Sequence, residues 1–377
     1  MKGKQGLVCM GLLLVLSSCH TGKQITASGL QRKDFQTEVN GQHTDLFTLS
    51  NKQGMEVCIT NYGARVVSIL VPDRNGKRED VVCGFSTITE YMEQRQNFGS
   101  TVGRYIGRIL NARFTLDGVE YKLVPNNGKS GHISHGGNPG FADRIWKVEQ
   151  ADTHRVRLSY LSPDGENGFP GNLKVTLVYS LGEDDNALDL KYEATTDAPT
   201  VLNLSHHSFF NISGNFTKSV EDQQLWVDAD RFTPYDDKKC VTGEYLPVAG
   251  TPLDFRMPHT IGECIDADHP QLKVVNGYDH TWELNTKGDD TRPAAWVYDP
   301  ASGRKMEIFT TEPGMQIYTG NGLKGKMTGK GGIAYPFRSA VCFETMHFQD
   351  SPNQPGFPST VLRPGEVFRS HTVYKFE

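Results

Sequence analysis

Two adjacent stretches of alternation constrain this chain most. In residues 173–181, Leu173, Val175, Leu177, Tyr179 and Leu181 alternate with Lys174, Thr176, Val178 and Ser180. A turn cluster follows, Gly182-Glu183-Asp184-Asp185-Asn186. Then Leu188, Leu190, Tyr192 and Ala194 alternate with Asp189, Lys191 and Glu193. Side chains of a strand leave its two faces in turn, so a period of two predicts a hairpin with one buried face. A second hairpin is predicted from 295–298 and 305–311, joined by Asp299-Pro300-Ala301-Ser302-Gly303. Further strand character runs through 57–71 and 156–161. Helical periodicity is scarce, and 87–96 is the best short candidate. The 39 glycines and 19 prolines are spread throughout, as many short strands with tight turns require. There is no internal repeat and no break in composition. Residues 35–377 are therefore expected to form a single large all-β domain.

Composition excludes several classes of function. With 37% hydrophobic and 22% charged residues the chain is globular rather than disordered. A net charge of −5 with no long basic run argues against a nucleic-acid partner. The body holds no uncharged apolar stretch long enough to cross a bilayer. The N-terminus reads as an address. Lys2 and Lys4 precede an apolar run over 7–16, which ends in Leu16-Ser17-Ser18-Cys19. Leucine, two small residues and cysteine in that register resemble a bacterial lipobox. The expectation is a signal peptide over 1–18, a lipidated Cys19, and a polar tether over 19–34. A plain secretory signal with Cys19 incidental is the competing reading. The lipid would anchor an exported protein, facing the periplasm, to a membrane. The other cysteines are 9, 58, 83, 240, 264 and 342. Outside the leader five remain, an odd number without C-x-x-C, so neither a disulfide framework nor a zinc site is indicated.

Candidate chemistry gathers at a few positions. His206 and His207 are adjacent in a strand-like run, so at most one of them faces a given cleft. His135 precedes Gly136-Gly137, where the backbone is free to turn sharply beside a ligand. Glu344 lies in the apolar run Ala340-Val341-Cys342-Phe343, where an unpaired carboxylate is costly and its pKa tends upward. That makes it a candidate general base, or else a strand-end glutamate paired with an arginine. Asp279, in Gly277-Tyr278-Asp279-His280, is a second carboxylate with an equally good reading as a turn residue. His132, His135, His206, His207 and Glu344 would suffice as metal ligands, but no H-x-H or H-E-x-x-H occurs, and no metal is expected. G-x-S-x-G and P-loop patterns are likewise missing.

Several blocks, in order, resemble the aldose 1-epimerase (galactose mutarotase) family over about residues 35–377. Gly103-Arg104-Tyr105-Ile106-Gly107-Arg108-Ile109 resembles G-R-x-x-N-R-I, and Phe114-Thr115-Leu116-Asp117-Gly118 follows. His135-Gly136-Gly137 resembles the end of L-H-G-G, and Asn203 to Asn211 resembles N-L-T-N-H-S-Y-F-N. The C-terminal block is the most specific. It runs from Pro313-Gly314-Met315-Gln316 through Tyr318-Thr319-Gly320-Asn321 and Glu344-Thr345 to Asn353-Gln354-Pro355, Phe357-Pro358 and Leu362-Arg363-Pro364-Gly365-Glu366.

The resemblance implies a large antiparallel β-sandwich with a sugar in an open cleft, and no cofactor. It implies Glu344 as the base that takes the anomeric proton and His207 as the acid that protonates the ring oxygen. His135 would assist near that oxygen, and Arg108, Asp279 and Gln316 would hold sugar hydroxyls. The substrate would be a free monosaccharide such as galactose or glucose; the oligomeric state is left open. Four positions depart from the pattern: Gly107 for Asn, Ser134 for Leu, His206 for Asn and Met346 for Gln. These touch sugar preference more than reaction class. Three other readings compete. A non-catalytic sugar-binding protein would not require an acid–base pair. Epimerisation of a phosphorylated hexose would require a basic cluster. A glycoside hydrolase would require two carboxylates flanking one bond, for which Glu344 and Asp279 would be the pair.

Overall fold

The computed structural model describes residues 25–377, and the expectations for 1–18 and for Cys19 lie outside them. The predicted hairpin forms as Leu173–Leu181 and Ala187–Thr196, paired antiparallel with Leu177 opposite Tyr192. Its apolar positions are buried and its polar ones point outward, as the alternation requires. The second hairpin forms as Ala295–Tyr298 and Lys305–Thr310. Both hairpins belong to one nine-stranded sheet. Its strand order is Lys147–Ala151, Arg155–Ser162, Leu173–Leu181, Ala187–Thr196, Phe368–Phe376, Lys305–Thr310, Ala295–Tyr298, Gln224–Val227 and His259–Thr260. The C-terminal strand Phe368–Phe376 sits between the two hairpins and joins them.

A six-stranded sheet packs against it, in the order Phe209–Phe210, Val341–Met346, Gly314–Tyr318, Asp279–Glu283, Arg231–Thr233, Leu246–Pro247. The main core holds Leu177, Tyr179, Leu188, Leu190 and Tyr374 from the first sheet and Trp282, Met315, Ile317, Val341 and Phe343 from the second. This is a β-sandwich, each sheet lending one apolar face to a shared interior. A four-stranded sheet, from Leu46–Ser50 through Arg78–Asp80, adds Val57, Ile59, Val66 and Ile69 to the same core.

Four local details differ from the sequence reading. The span 57–71 is two strands, Glu56–Thr60 and Arg65–Pro72, because a tight turn with Gly63 and Ala64 at positive φ interrupts it. The helix expected in 87–96 is Ile88–Gln94, started by a capping box between Thr87 and Glu90. A second helix, Pro270–Val275, is too short to leave a periodic signal. The stretch 25–34, read from its polarity as part of a tether, is packed on the body. Leu30 is buried, and the next apolar residue, Phe35, is completely so. The Ala27 amide donates to Glu56 Oε1 at 2.6 Å, and Arg32 Nε to Asp45 Oδ1 at 2.8 Å. No helix among the described residues is long and apolar enough to cross a membrane.

The strand Val341–Met346 is buried along its whole length because both its faces are covered. Val341 and Phe343 point into the core, and Thr345 Oγ1 lies 2.7 Å from Thr372 Oγ1 of the large sheet. Alternation then sends Cys342, Glu344 and Met346 to the opposite face. The neighbouring strands do the same, with Thr281, Gln316 and Glu344 in register across three strands. Leu177→Ala should cost about 2–5 kcal/mol of stability in urea unfolding, because Leu177 is completely buried at the centre of the sandwich. Thr176→Ala on the outer face should stay within about 0.5 kcal/mol.

Candidate active site

The outward face of the six-stranded sheet floors a polar cavity of about 250 Å³. That is small for a ligand pocket and suits a small polar molecule. The loops of the sequence motifs wall it. Arg108 and Ser134 pair across a short antiparallel ladder, bringing the first two motif blocks together. His135 has φ 53° and its amide donates to Gly107 O at 2.9 Å. Gly136 crosses so close to Gly103 that a Cβ there would lie 2.0 Å from the Gly103 carbonyl oxygen, so no other residue fits. Arg104, in the same block as Arg108, points elsewhere. It is buried and donates to Pro170 O at 2.8 Å and to Gly171 O at 3.0 Å, holding a loop.

The strand Ser205–His207 separates its two histidines as alternation demands. His207 enters the cavity, stacked on Phe209 with ring centroids 5.0 Å apart and edge-on to His135 at 5.5 Å. His206 turns into the sandwich core beside Tyr179 and Tyr374, its Nε2 2.6 Å from Ser208 Oγ. His207 Nε2 lies 3.3 Å from Glu344 Oε1, and both side chains are almost wholly buried. On the other side of the ring, His207 Nδ1 is 3.7 Å from Cys342 Sγ. The cavity thus holds one carboxylate–imidazole contact, backed by a thiol.

Burial sets the charges. It raises Glu344 well above the ordinary 4.5, with the nearby Asp279 adding repulsion. It drives His207 well below 6.5, with His135 as the next contributor. Each shift favours a neutral partner, so the pair is expected to hold one proton between them and to titrate as a unit. His135 is pushed down to about 4 by burial and then by Arg108, and its Nδ1 has no partner among the described residues. Asp279 is raised by burial, against the pull of Arg108 and a hydrogen bond from Gln316.

Of the residues predicted from sequence, Glu344, His207, His135, Arg108, Asp279 and Gln316 all line this one cavity. Gln316 also meets protein partners on this wall. Its Nε2 donates to Asp279 Oδ1 at 2.7 Å and its Oε1 accepts from Thr281 Oγ1 at 2.5 Å, so its amide is occupied by protein. His132, a residue of the same glycine-rich turn, does not line the cavity; it accepts from the Asn111 amide and contacts Cys240 Sγ at 3.3 Å. Sequence reasoning missed Asn97, Phe209, Tyr318 and Gln349 as wall residues. Phe209 and Tyr318 lay within quoted blocks, but Gln349 carried no signal. The five cysteines of the described residues are free thiols.

Among the described residues, one group is close enough to share a metal: His207, Cys342 and Glu344. His207 offers Nε2 to the carboxylate and Nδ1 to the thiol, from opposite sides of the ring.

A buried carboxylate–imidazole contact on a β-sandwich, walled by amides, a guanidinium and a second imidazole, makes a cavity whose groups can bind a small polar molecule and exchange protons with it. The chain belongs to the aldose 1-epimerase family, whose profile matches residues 45–375. It is similar to galactose mutarotase from Sus scrofa, 39% identical over 330 residues that span 88% of this chain and 93% of the relative. It is similar also to aldose 1-epimerase from Escherichia coli (strain K12), 36% identical over 339 residues, 89% of this chain and 96% of the relative. The crystal structure of an aldose epimerase homologue from C. elegans matches with a TM-score of 0.81 at 31% identity, covering 89% of this chain and 99% of that one.

The charge arrangement fixes the sign of a pH effect. A carboxyl raised by folding binds its proton more tightly folded than unfolded, so its contribution to stability falls as pH rises from about 4.5. The lowered His207 acts oppositely, but only up to about 6.5. Above pH 6.5 the loss from Glu344 is joined by those of His347 and His371, whose pKa values are also raised by folding. Urea unfolding at pH 6.5 and 8.5 should show a stability loss that Glu344→Gln makes smaller.

Proposed function

We propose that this chain is an aldose 1-epimerase that interconverts the α and β anomers of free hexoses such as galactose and glucose. The observation that carries the reading is the 3.3 Å contact between His207 Nε2 and Glu344 Oε1 inside the cavity. Anomer exchange removes a proton from O1 and supplies one to O5. The C1–O5 bond breaks, an aldehyde forms, the C1–C2 bond rotates, and the ring recloses on the other face. Protons alone are exchanged; nothing is oxidised or reduced, and no cofactor enters the balance.

A pair holding one proton matches this demand. With that proton on His207, Glu344 is the base and His207 the acid, and reclosure returns both to their starting states. A group of each kind contributes on the order of 10²–10⁴-fold. Phe209 under the imidazole and His135 at its edge hold the ring in place. Arg108 and Asp279 supply a donor and an acceptor for the remaining hydroxyls.

We propose further that residues 1–18 are a signal peptide, that Cys19 is lipidated, and that the enzyme is a membrane-anchored, exported lipoprotein. The lipobox-like Leu16-Ser17-Ser18-Cys19 supports this. Cys19→Ala should move the full-length protein from the membrane to the soluble fraction on cell fractionation; an unchanged distribution would contradict lipid anchoring.

Polarimetry on freshly dissolved α-D-galactose and α-D-glucose should show relaxation faster than buffer and proportional to protein. A methyl glycoside, with no anomeric hydroxyl to deprotonate, should show no change; release of the free sugar from it would instead mark a hydrolase. A folded protein that accelerates neither sugar would favour a binding role. Glu344→Gln and His207→Asn should each lower kcat by about 10²-fold or more. His206→Asn should keep kcat within about tenfold while costing about 1–3 kcal/mol of stability, since it disturbs a buried hydrogen bond in the core.

A further inference from the structure

Gln349 lies in the cavity wall, and none of the roles above uses it. Its side chain rests directly over Gly107. A Cβ on Gly107 would lie 2.6 Å from Gln349 Cγ and 3.4 Å from Met346 Cε. Gly107 has φ +75°, a conformation that L side chains rarely adopt, so two constraints favour glycine there. The backbones are tied together as well. The Asp350 amide donates to Arg108 O at 2.8 Å, and the Leu110 amide to Asp350 Oδ1 at 2.9 Å. Position 107 therefore determines whether the Gln349 side chain can occupy this part of the wall.

The hydrogen bonds orient its amide. Gln316 Nε2 is committed to the Asp279 carboxylate, so Gln316 Oε1 must accept. It accepts from Thr281 Oγ1 and, at 3.4 Å, from Gln349 Nε2. Gln349 Nε2 also donates to Tyr235 OH at 2.7 Å. Turning the amide over would set two carbonyl oxygens against each other. Gln349 Oε1 is thus directed away from this network, and no described residue donates to it, although the side chain is 5% exposed. Gln349 Oε1 is not among the buried atoms left without a partner, so it meets solvent and is open to a donor from a ligand. Gln316 has its amide filled by protein, whereas Gln349 has an acceptor to offer.

We infer that Gln349 is a substrate-binding residue, whose Oε1 accepts a hydrogen bond from the sugar hydroxyl lying over Gly107. The inference rests on the mutarotase reading. It assigns Gln349, with Gly107 making room for it, a part in deciding which aldose fits. A hydrogen bond held throughout the reaction binds ground state and transition state alike, so its loss should appear in KM.

The test is steady-state mutarotation by wild type, Gln349→Ala, Gly107→Ala and the double variant, on the preferred aldose and its 2-, 3-, 4- and 6-deoxy forms. Gln349→Ala should raise KM about tenfold with kcat kept within about twofold, the effect of one hydrogen bond. With one deoxy sugar, the one lacking the contacted hydroxyl, wild type and variant should have the same KM. Gly107→Ala, which displaces the Gln349 side chain, should reproduce that pattern, and the double variant should be no worse than Gln349→Ala. An equal loss on every deoxy sugar, or no change in KM on any, would overturn the inference. Wild type inactive on all the sugars would instead overturn the mutarotase reading itself.

Discussion

A carboxylate on a fully buried strand is the constraint that orders the rest of this structure. Glu344 sits in Val341–Met346, where one set of alternate side chains must seal the sandwich. Val341, Phe343 and Thr345 do that, and Tyr374 OH donates to Phe343 O at 3.0 Å from the facing sheet. The opposite face cannot be left to water without exposing a six-stranded sheet. It is covered by the strand that carries His207 and by the short ladder and loops that carry Arg108 and His135. Those segments dehydrate Glu344, and the cost of an isolated buried charge leaves it dependent on the imidazole beside it. The fold's need to cover a sheet and the site's need for a perturbed acid–base pair are met by the same residues.

Much of this was legible in the sequence because strand chemistry is local. The alternation over 173–181 predicts its hairpin without reference to anything else. The same rule sent His206 and His207 to opposite sides, and the core and the cavity divide them that way. Glu344 stood out because an acid in an apolar run demands a reason. What stayed hidden depends on contacts distant in sequence. Gln349 is an ordinary loop glutamine until Gly107 and Gln316 are brought beside it. Arg104 and Arg108 share one motif, yet one ties down a loop and the other lines the cavity. The packing of 25–34 escaped for a similar reason. Its polar residues find partners in Asp45 and Glu56, which composition alone does not reveal.

The departures from the family pattern fall into two physical groups. His206 belongs to the core, where its ring sits 6.0 Å from Tyr374, and it does not compete with His207 for the cavity. Gly107, Ser134 and Met346 belong to the cavity wall, and a Cβ at 107 would meet both Gln349 and Met346 there. On the function proposed above, changes of the first kind act on stability and those of the second on substrate preference.

The central claim is that Glu344 and His207 share a single proton. NMR titration of protein labelled at the glutamate carboxyl carbon and the histidine ring nitrogens measures it directly. The account predicts that the two signals move together and that one proton remains on the pair above pH 6.5, where a free histidine has already lost its own. A Glu344 carboxyl that ionises near 4.5 while the His207 ring titrates independently near 6.5 would contradict it.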